Sequence, residues 1–129
     1  LTIHSQYDFL LRRLDGYFDI LELKGPDTPL FVRTRGKKKV MSNALKTAIS
    51  QIIFYLAEAR TYYLQIRKQT GIDVCFPKGI IIIGRRKKEE SELLKNHQEF
   101  LHNIEILTYD DIIDIAKKTI QIYRKGGKL

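Results

Sequence analysis

Apolar and polar positions along this chain change period several times, and each change predicts an element. From about Tyr7 to Arg13, and again from Tyr17 to Lys24, runs of strand length are rich in Phe, Tyr, Leu and Ile. Asp15-Gly16 between them is a turn signal, so the pair predicts a hairpin. Gly25-Pro26-Asp27-Thr28-Pro29 ends the second strand, because proline lacks the N–H that a central ladder needs. Leu30 to Thr34 predicts a short strand, and Arg35 to Lys39 a basic loop. Leu45, Ala48, Ile49, Ile52, Leu56, Ala59 and Tyr63 then recur at helical spacing. They predict a long helix capped by Ser42 or Asn43, running to about Gln69 and stopped at Thr70-Gly71. Four consecutive isoleucines between Gly79 and Gly84 predict a buried strand covered on both faces. A charged helix from about Lys87 to Leu101 and a short strand from Ile104 to Leu107 follow. The last helix is capped by Thr108 and runs to about Tyr123. Its first turn carries Asp110 and Asp111, where the helix dipole favours acids.

The order strand, strand, helix, strand, helix, strand, helix is that of an α/β fold, a mixed β-sheet flanked by helices. The 129 residues are enough for one domain with its own core. The chain starts with Leu rather than Met and is expected to be part of a longer protein. No run of ~18 apolar residues is available to span a membrane, and nothing resembles a signal peptide. The single cysteine, Cys75, has no partner for an internal disulfide and reads as a small buried hydrophobe. That usage fits a reducing cytoplasm.

Charge adds a partner class. The formal net charge is +8. The cations gather in three groups: Arg33, Arg35, Lys37, Lys38 and Lys39; Arg85, Arg86, Lys87 and Lys88; and Lys117, Lys118, Arg124, Lys125 and Lys128. Clustering of this kind marks a polyanion partner, nucleic acid first. Charge alone leaves an anionic membrane or an acidic protein open.

The hairpin carries the candidate chemistry. Glu22 and Lys24 share one face of their strand, since side chains alternate. Whether Asp8 joins them depends on the turn. A two-residue loop at Asp15-Gly16 sets Asp8 against Leu23, on the wrong face. A three-residue loop, Leu14-Asp15-Gly16 with Gly16 left-handed, sets Arg13 against Tyr17 and Asp8 against Glu22, with Cβ atoms roughly 5 Å apart. The second register is expected. Asp8, Glu22 and the Leu23 carbonyl would then offer hard oxygen ligands to Mg²⁺ or Mn²⁺. Such a metal polarises a phosphate and activates a water, and Lys24 stabilises the developing charge. The bland alternative is a half-exposed strand with ordinary surface charges.

Other positions supplement that set. Gln51 and Tyr55 are four residues apart on one face of the long helix, beside its apolar stripe. A Gln there can bond a metal-held water or a phosphate oxygen, and a Tyr can contact a backbone or stack on a base. Arg85, Arg86, Lys87 and Lys88 stand at a predicted helix start, where cations oppose the dipole. Either a bound anion or the nearby Glu89, Glu90 and Glu92 would relieve the conflict. His4, His97 and His102 have no metal-ligand spacing. His97 and His102 read as exposed on a helix face.

Together these residues resemble the PD-(D/E)XK nuclease superfamily: Asp8, then Glu22-Leu23-Lys24 after a hairpin, then Gln51-x-x-x-Tyr55 on the next helix. More narrowly, the chain resembles the nuclease domain of the Shedu anti-phage defence proteins. The stretches that carry this are Tyr-Asp-Phe-Leu-Leu-Arg-Arg-Leu-Asp-Gly (7–16), Ile-Leu-Glu-Leu-Lys-Gly-Pro (20–26), Ala-Ile-Ser-Gln-Ile-Ile-Phe-Tyr (48–55), Gly-Ile-Ile-Ile-Ile-Gly-Arg (79–85) and Ile-Leu-Thr-Tyr-Asp-Asp-Ile (106–112). The resemblance implies a restriction-endonuclease-like fold over residues 1–129 and a metal-dependent DNA endonuclease using Mg²⁺ or Mn²⁺. Asp8 and Glu22 would be metal ligands, with the Leu23 carbonyl, and Lys24 the catalytic lysine. Gln51 and Tyr55 would be active-site polar groups, with Arg35, Lys37, Lys38, Lys39, Arg85 and Arg86 contacting DNA. It also implies regulatory domains elsewhere in the full-length chain and homo-oligomers. Position 7 departs from the pattern, with Tyr where the superfamily name has Pro. A repair or recombination nuclease of the same superfamily, or a catalytically silent DNA-binding module, are the competing readings.

Overall fold

Asp15 and Gly16 set the first turn. In the computed structural model, which describes residues 9–125, Gly16 adopts φ +90°. That conformation costs glycine nothing. The Gly16 N–H donates to the Arg13 carbonyl at 3.1 Å and the Arg13 N–H to the Tyr17 carbonyl at 2.7 Å. The Asp15 carboxylate accepts from the Tyr17 N–H at 3.0 Å, closing an Asx-type turn. Strands β1 (Phe9–Arg12) and β2 (Phe18–Leu23) leave this turn as an antiparallel pair. Leu10 faces Ile20, Leu11 faces Asp19 and Arg12 faces Phe18. This is the register of the three-residue loop.

A second, two-stranded sheet follows, made of β3 (Phe31–Arg33) and β4 (Lys39–Met41). The sequence predicts β3 but gives Lys39 to a loop. Lys39–Met41 has too little apolar alternation to read as a strand, and it becomes one by pairing with β3, Val40 against Val32. Helix α1 (Asn43–Thr70) begins where the Ser42 hydroxyl accepts the Leu45 N–H at 3.1 Å. It ends at Gly71, left-handed at φ +74°. Its helical dihedrals break at Tyr62. Next to that break the Thr61 hydroxyl donates to the Ala57 carbonyl at 3.0 Å, a back-bond that bends helices.

Strand β5 (Gly79–Ile82) pairs parallel with β2, and β6 (Ile104–Leu107) parallel with β5. The main sheet is therefore mixed, in the order β1-β2-β5-β6. Between β5 and β6 the chain makes a 3₁₀ turn (Lys88–Glu90) and helix α2 (Ser91–Glu99). The single helix expected from Lys87 thus starts later. Gln98 of α2 pairs with the backbone of β6, donating to the Ile104 carbonyl and accepting the Ile106 N–H at 2.8 Å. Helix α3 (Tyr109–Lys125) follows. Thr108 and Asp111 cap it reciprocally, each side chain accepting the other's N–H.

The core lies between α1 and one face of the main sheet. Ile20, Ile81, Ile104 and Ile106 meet Leu45, Ala48, Ile49, Ile52, Ala59 and Ile66. In parallel pairing Ile20 aligns with Gly79 and Glu22 with Ile81, so all four side-chain positions share this face. The opposite face is half-covered. Ile80 and Ile82 are only partly buried, so β5 is not enclosed on both sides as its isoleucine run suggests. Two smaller expectations also change. Cys75 is half-buried. His97 is half-buried as well, its ring 5.3 Å from that of Phe31 and its Nδ1 2.9 Å from the Leu93 carbonyl. No helix is long and apolar enough to cross a membrane among the described residues.

Gly79 is where α1 comes closest. A Cβ there would lie 2.3 Å from Ile52 Cγ2. We expect Gly79→Ala to lower stability by about 1–3 kcal/mol through overpacking. Urea unfolding of the variant and the wild type measures the difference.

Candidate functional site

Alternation along β2 decides which of its polar groups turn inward. Phe18, Ile20 and Glu22 point to the α1 side, and Lys24 continues the same alternation just beyond the strand end. Ile20 is in the core and Glu22 is 3% exposed. Lys24 Nζ lies 3.6 Å from Glu22 Oε1. A carboxylate and an ammonium therefore meet at the border of an apolar layer, where charge interactions are stronger than in water. Burying a carboxylate is costly, and the fold offers no packing reason for one beside Ile20 and Ile81.

The backbone is also oriented. The N–H groups of Ile20 and Lys24 donate across to β5, to the carbonyls of Lys78 and Ile82, each at 2.9 Å. Backbone groups alternate sides along a strand, so the Leu23 carbonyl is directed toward the β1 side. Asp8, the expected partner of Glu22, lies outside the described residues. The register on which that expectation depends is the one found from Phe9 to Arg12.

Gln51 and Tyr55 are half-buried on α1, the helix that covers this face. Gln51 immediately precedes Ile52, the side chain that meets Gly79. Its Oε1 is buried and has no hydrogen-bond partner among the described residues. Buried polar atoms are nearly always satisfied, so an orphan acceptor asks for a donor from a ligand or water. The Tyr55 ring stands edge-on to Phe54 at 5.8 Å.

A residue with no signal in the sequence supports Lys24. The Tyr109 hydroxyl donates to the Lys24 carbonyl at 2.6 Å, and the Tyr109 N–H to the Gly84 carbonyl at 3.0 Å. The first residue of α3 thus ties the lysine segment to the end of β5. Nothing in a Tyr at a helix start reveals a partner 85 positions away.

The expected DNA-contacting cations divide into two kinds. Arg35, Lys37 and Lys38 are exposed in the β3–β4 connection, and no carboxylate pairs with them among the described residues. The others have acidic partners. Lys39 meets the buried Glu90 at 3.1 Å. Arg85 grips Asp110 through both Nε and Nη2, at 3.1 and 2.9 Å. Arg86 reaches Asp111 at 2.6 Å and Asp114 at 2.8 Å, and its N–H donates to Asp110 at 2.7 Å. The sequence offers Glu89, Glu90 and Glu92 as local neutralisers; the acids that meet Arg85 and Arg86 come from the start of α3 instead.

That cluster shifts its own titrations. Hydrogen bonds from the Arg85 side chain and the Arg86 N–H hold Asp110 down from 3.8 to about 2. Burial pushes Asp111 up, but hydrogen bonds from Arg86 and Thr108 outweigh it and leave the group lowered. Asp110 raises Arg85, while Asp111 and Asp114 raise Arg86.

Among the described residues, no three His, Cys, Asp or Glu side chains gather to hold a metal ion. The donors that are described suit a hard cation nonetheless: the Glu22 carboxylate and the Leu23 carbonyl are both oxygens, and the Gln51 orphan stands on the helix above their face.

The geometry defines a class: a mixed α/β domain with a buried carboxylate–lysine pair at the end of a central strand. The family follows from comparison. The family model described as Shedu protein SduA, C-terminal, matches residues 2–113, and the chain belongs to that family. Membership places it among anti-phage defence proteins. No curated protein matches the chain.

Two outcomes follow from these contacts. Asp110 titrates below its ordinary value in the folded state, so its contribution is complete above pH ~4 and is lost as pH falls through about 2. Wild type should therefore exceed Asp110→Asn in urea midpoint at neutral pH, and the gap should close between pH ~4 and ~2. Removing the Tyr109 hydroxyl with Tyr109→Phe leaves a partly buried carbonyl unpaired and should cost about 1 kcal/mol. Faster amide exchange at Gly84 and Tyr109 would report the loosened junction.

Proposed function

We propose that this domain is a metal-dependent DNA endonuclease acting in anti-phage defence. One observation carries the reading: the Glu22 carboxylate, 3% exposed on the α1 side of the sheet, with the Lys24 ammonium 3.6 Å away. A carboxylate in that setting is placed for chemistry better than for packing. If the β1–β2 register seen from Phe9 to Arg12 continues one residue further, Asp8 and Glu22 would form a non-hydrogen-bonded pair. Side chains come closest in such pairs, roughly 4.5–5.5 Å between Cβ atoms. Asp8, Glu22 and the Leu23 carbonyl would then hold Mg²⁺ or Mn²⁺.

When bound, that metal supplies Lewis acidity toward a phosphate oxygen and lowers the pKa of a neighbouring water. The protein's own groups do the rest. Glu22 fixes the position of the cation and, through its contact with Lys24, the position of the ammonium. Lys24 offers positive charge where negative charge grows on the phosphorus oxygens during attack. Gln51 Oε1 accepts a proton-bearing group, a water or a protonated phosphate ligand, and so orients it. Tyr55, four residues on along the same helix, contacts the DNA backbone or stacks on a base. Arg35, Lys37 and Lys38 hold the phosphodiester backbone without reading its sequence. Lys39, Arg85 and Arg86 contribute to the same field while held by their acids. DNA is the partner in this reading, and regulatory domains elsewhere in the full-length chain and self-association control access to it.

A supercoiled-plasmid assay tests the reading. The full-length protein should nick or linearise DNA with Mg²⁺ or Mn²⁺ and not with EDTA. Asp8→Ala, Glu22→Ala and Lys24→Ala should each lower the rate by at least about 100-fold, with circular dichroism unchanged. Cleavage that survives Glu22→Ala and Lys24→Ala would overturn it. DNA binding without cleavage by any preparation would favour a silent binding module.

A further inference from the structure

A hollow lies at the end of β2 away from Glu22. It has a volume of about 590 Å³ and lies between α1, the loop leading into β5 and the loop before β6. That size suits a nucleotide-scale group. Its lining combines four basic side chains, Arg13, Arg60, Lys78 and His102, with Tyr63 and Phe76, and includes no acidic residue among the described residues. A second hollow of about 330 Å³ shares Leu56, Arg60 and His102 with the first and extends it past Phe100. The two adjoin along α1 and are taken together as one groove.

Two features of this groove are unexpected for a surface that faces only water. Phe76 is 85% exposed and Phe100 is 88% exposed. Phe76 also sits at φ +54°, a left-handed backbone that side chains with a Cβ seldom adopt. The fold therefore spends strain to hold an aromatic ring out beside a hollow. The cations are arranged just as unevenly. Arg13 lies 5.4 Å from the Tyr17 ring and meets Asp15 and Asp19. Lys78 pairs with Glu105. Arg60 and His102 have no carboxylate partner among the described residues. An arginine without a carboxylate partner beside exposed aromatic rings fits the way proteins seat single-stranded nucleic acid: rings stack on bases and cations track phosphates. An apolar peptide would use the rings and leave the cations unanswered.

Position makes the groove more than an isolated patch. Phe18, next to the loop that carries Arg13, is four residues from Glu22, or roughly 13 Å along the strand. On α1, Arg60 is nine residues from Gln51, again roughly 13 Å. The groove and the carboxylate–lysine pair thus stand roughly 13 Å apart along the same two elements.

We infer that this groove seats an unpaired stretch of DNA beside the bond to be cut, with bases stacked on Phe76 and Phe100 and phosphates on Arg60 and His102. The inference rests on the nuclease reading for the word "cut", and binding without metal tests it separately. The full-length protein, in EDTA, is titrated with labelled oligothymidine and with a duplex of equal length, and anisotropy is recorded across a salt series. The single strand should bind more tightly than the duplex. Phe76→Ala should weaken single-strand binding about tenfold without changing the salt slope, and Phe76→Trp should restore it. Arg60→Ala should weaken binding and lower the slope of log affinity against log salt by about 0.7. Both positions are exposed, and urea midpoints of the variants check that the fold is unchanged. Equal binding by wild type, Phe76→Ala and Arg60→Ala would overturn the inference. So would tight binding of free thymidine monophosphate with none of the oligomer, which would make the groove a small-molecule pocket, or capture of an apolar peptide alone. None of these outcomes depends on cleavage, so failure of the nuclease assay and failure of this one are separable.

Discussion

Close approach of α1 to the sheet at Gly79 is the constraint on which the rest depends. The missing side chain lets Ile52 settle onto β5, and dense contact there fixes how far the helix stands from the strands. The depth of that contact sets which β2 positions are inside. Ile20 pairs with Gly79 and Glu22 with Ile81, so the helix that seals Ile20 also roofs Glu22. A wider gap would hydrate the carboxylate, relax its hold on Lys24 and leave Gln51 facing water. Core packing and candidate chemistry are consequences of one contact.

Local signals in the chain were the legible ones. The hairpin register follows from a single left-handed glycine, the long helix from its Ser42 cap and apolar stripe, and the last helix from Thr108 and its acids. The family likeness, carried by ordered motifs along most of the chain, agrees with the match over residues 2–113. Glu22 and Lys24 share a face by strand alternation alone, and they do meet. Asp8 lies outside the described residues, so the carboxylate pair itself rests on continuing the register.

What the sequence did not reveal is long-range. β4 becomes a strand by pairing with β3 and not by its own pattern. Arg85 and Arg86 find acids on α3, because the crossover through β6 brings the start of that helix back to the end of β5. The isoleucine run of β5 predicts two covered faces, but only the α1 side is fully buried. The groove around Phe76 is assembled from the β1–β2 turn, α1 and two loops, a juxtaposition that no window of the chain contains.

The hydrogen bond from Tyr109 to the Lys24 carbonyl gives the last helix a mechanical role. The base of α3 is clamped on one side to the lysine segment and on the other to Arg85 and Arg86. Its later turns carry exposed isoleucines, Ile113, Ile115 and Ile120. The start of α3 thus braces the backbone of the same residue whose ammonium faces Glu22, while its far turns leave an apolar ridge uncovered.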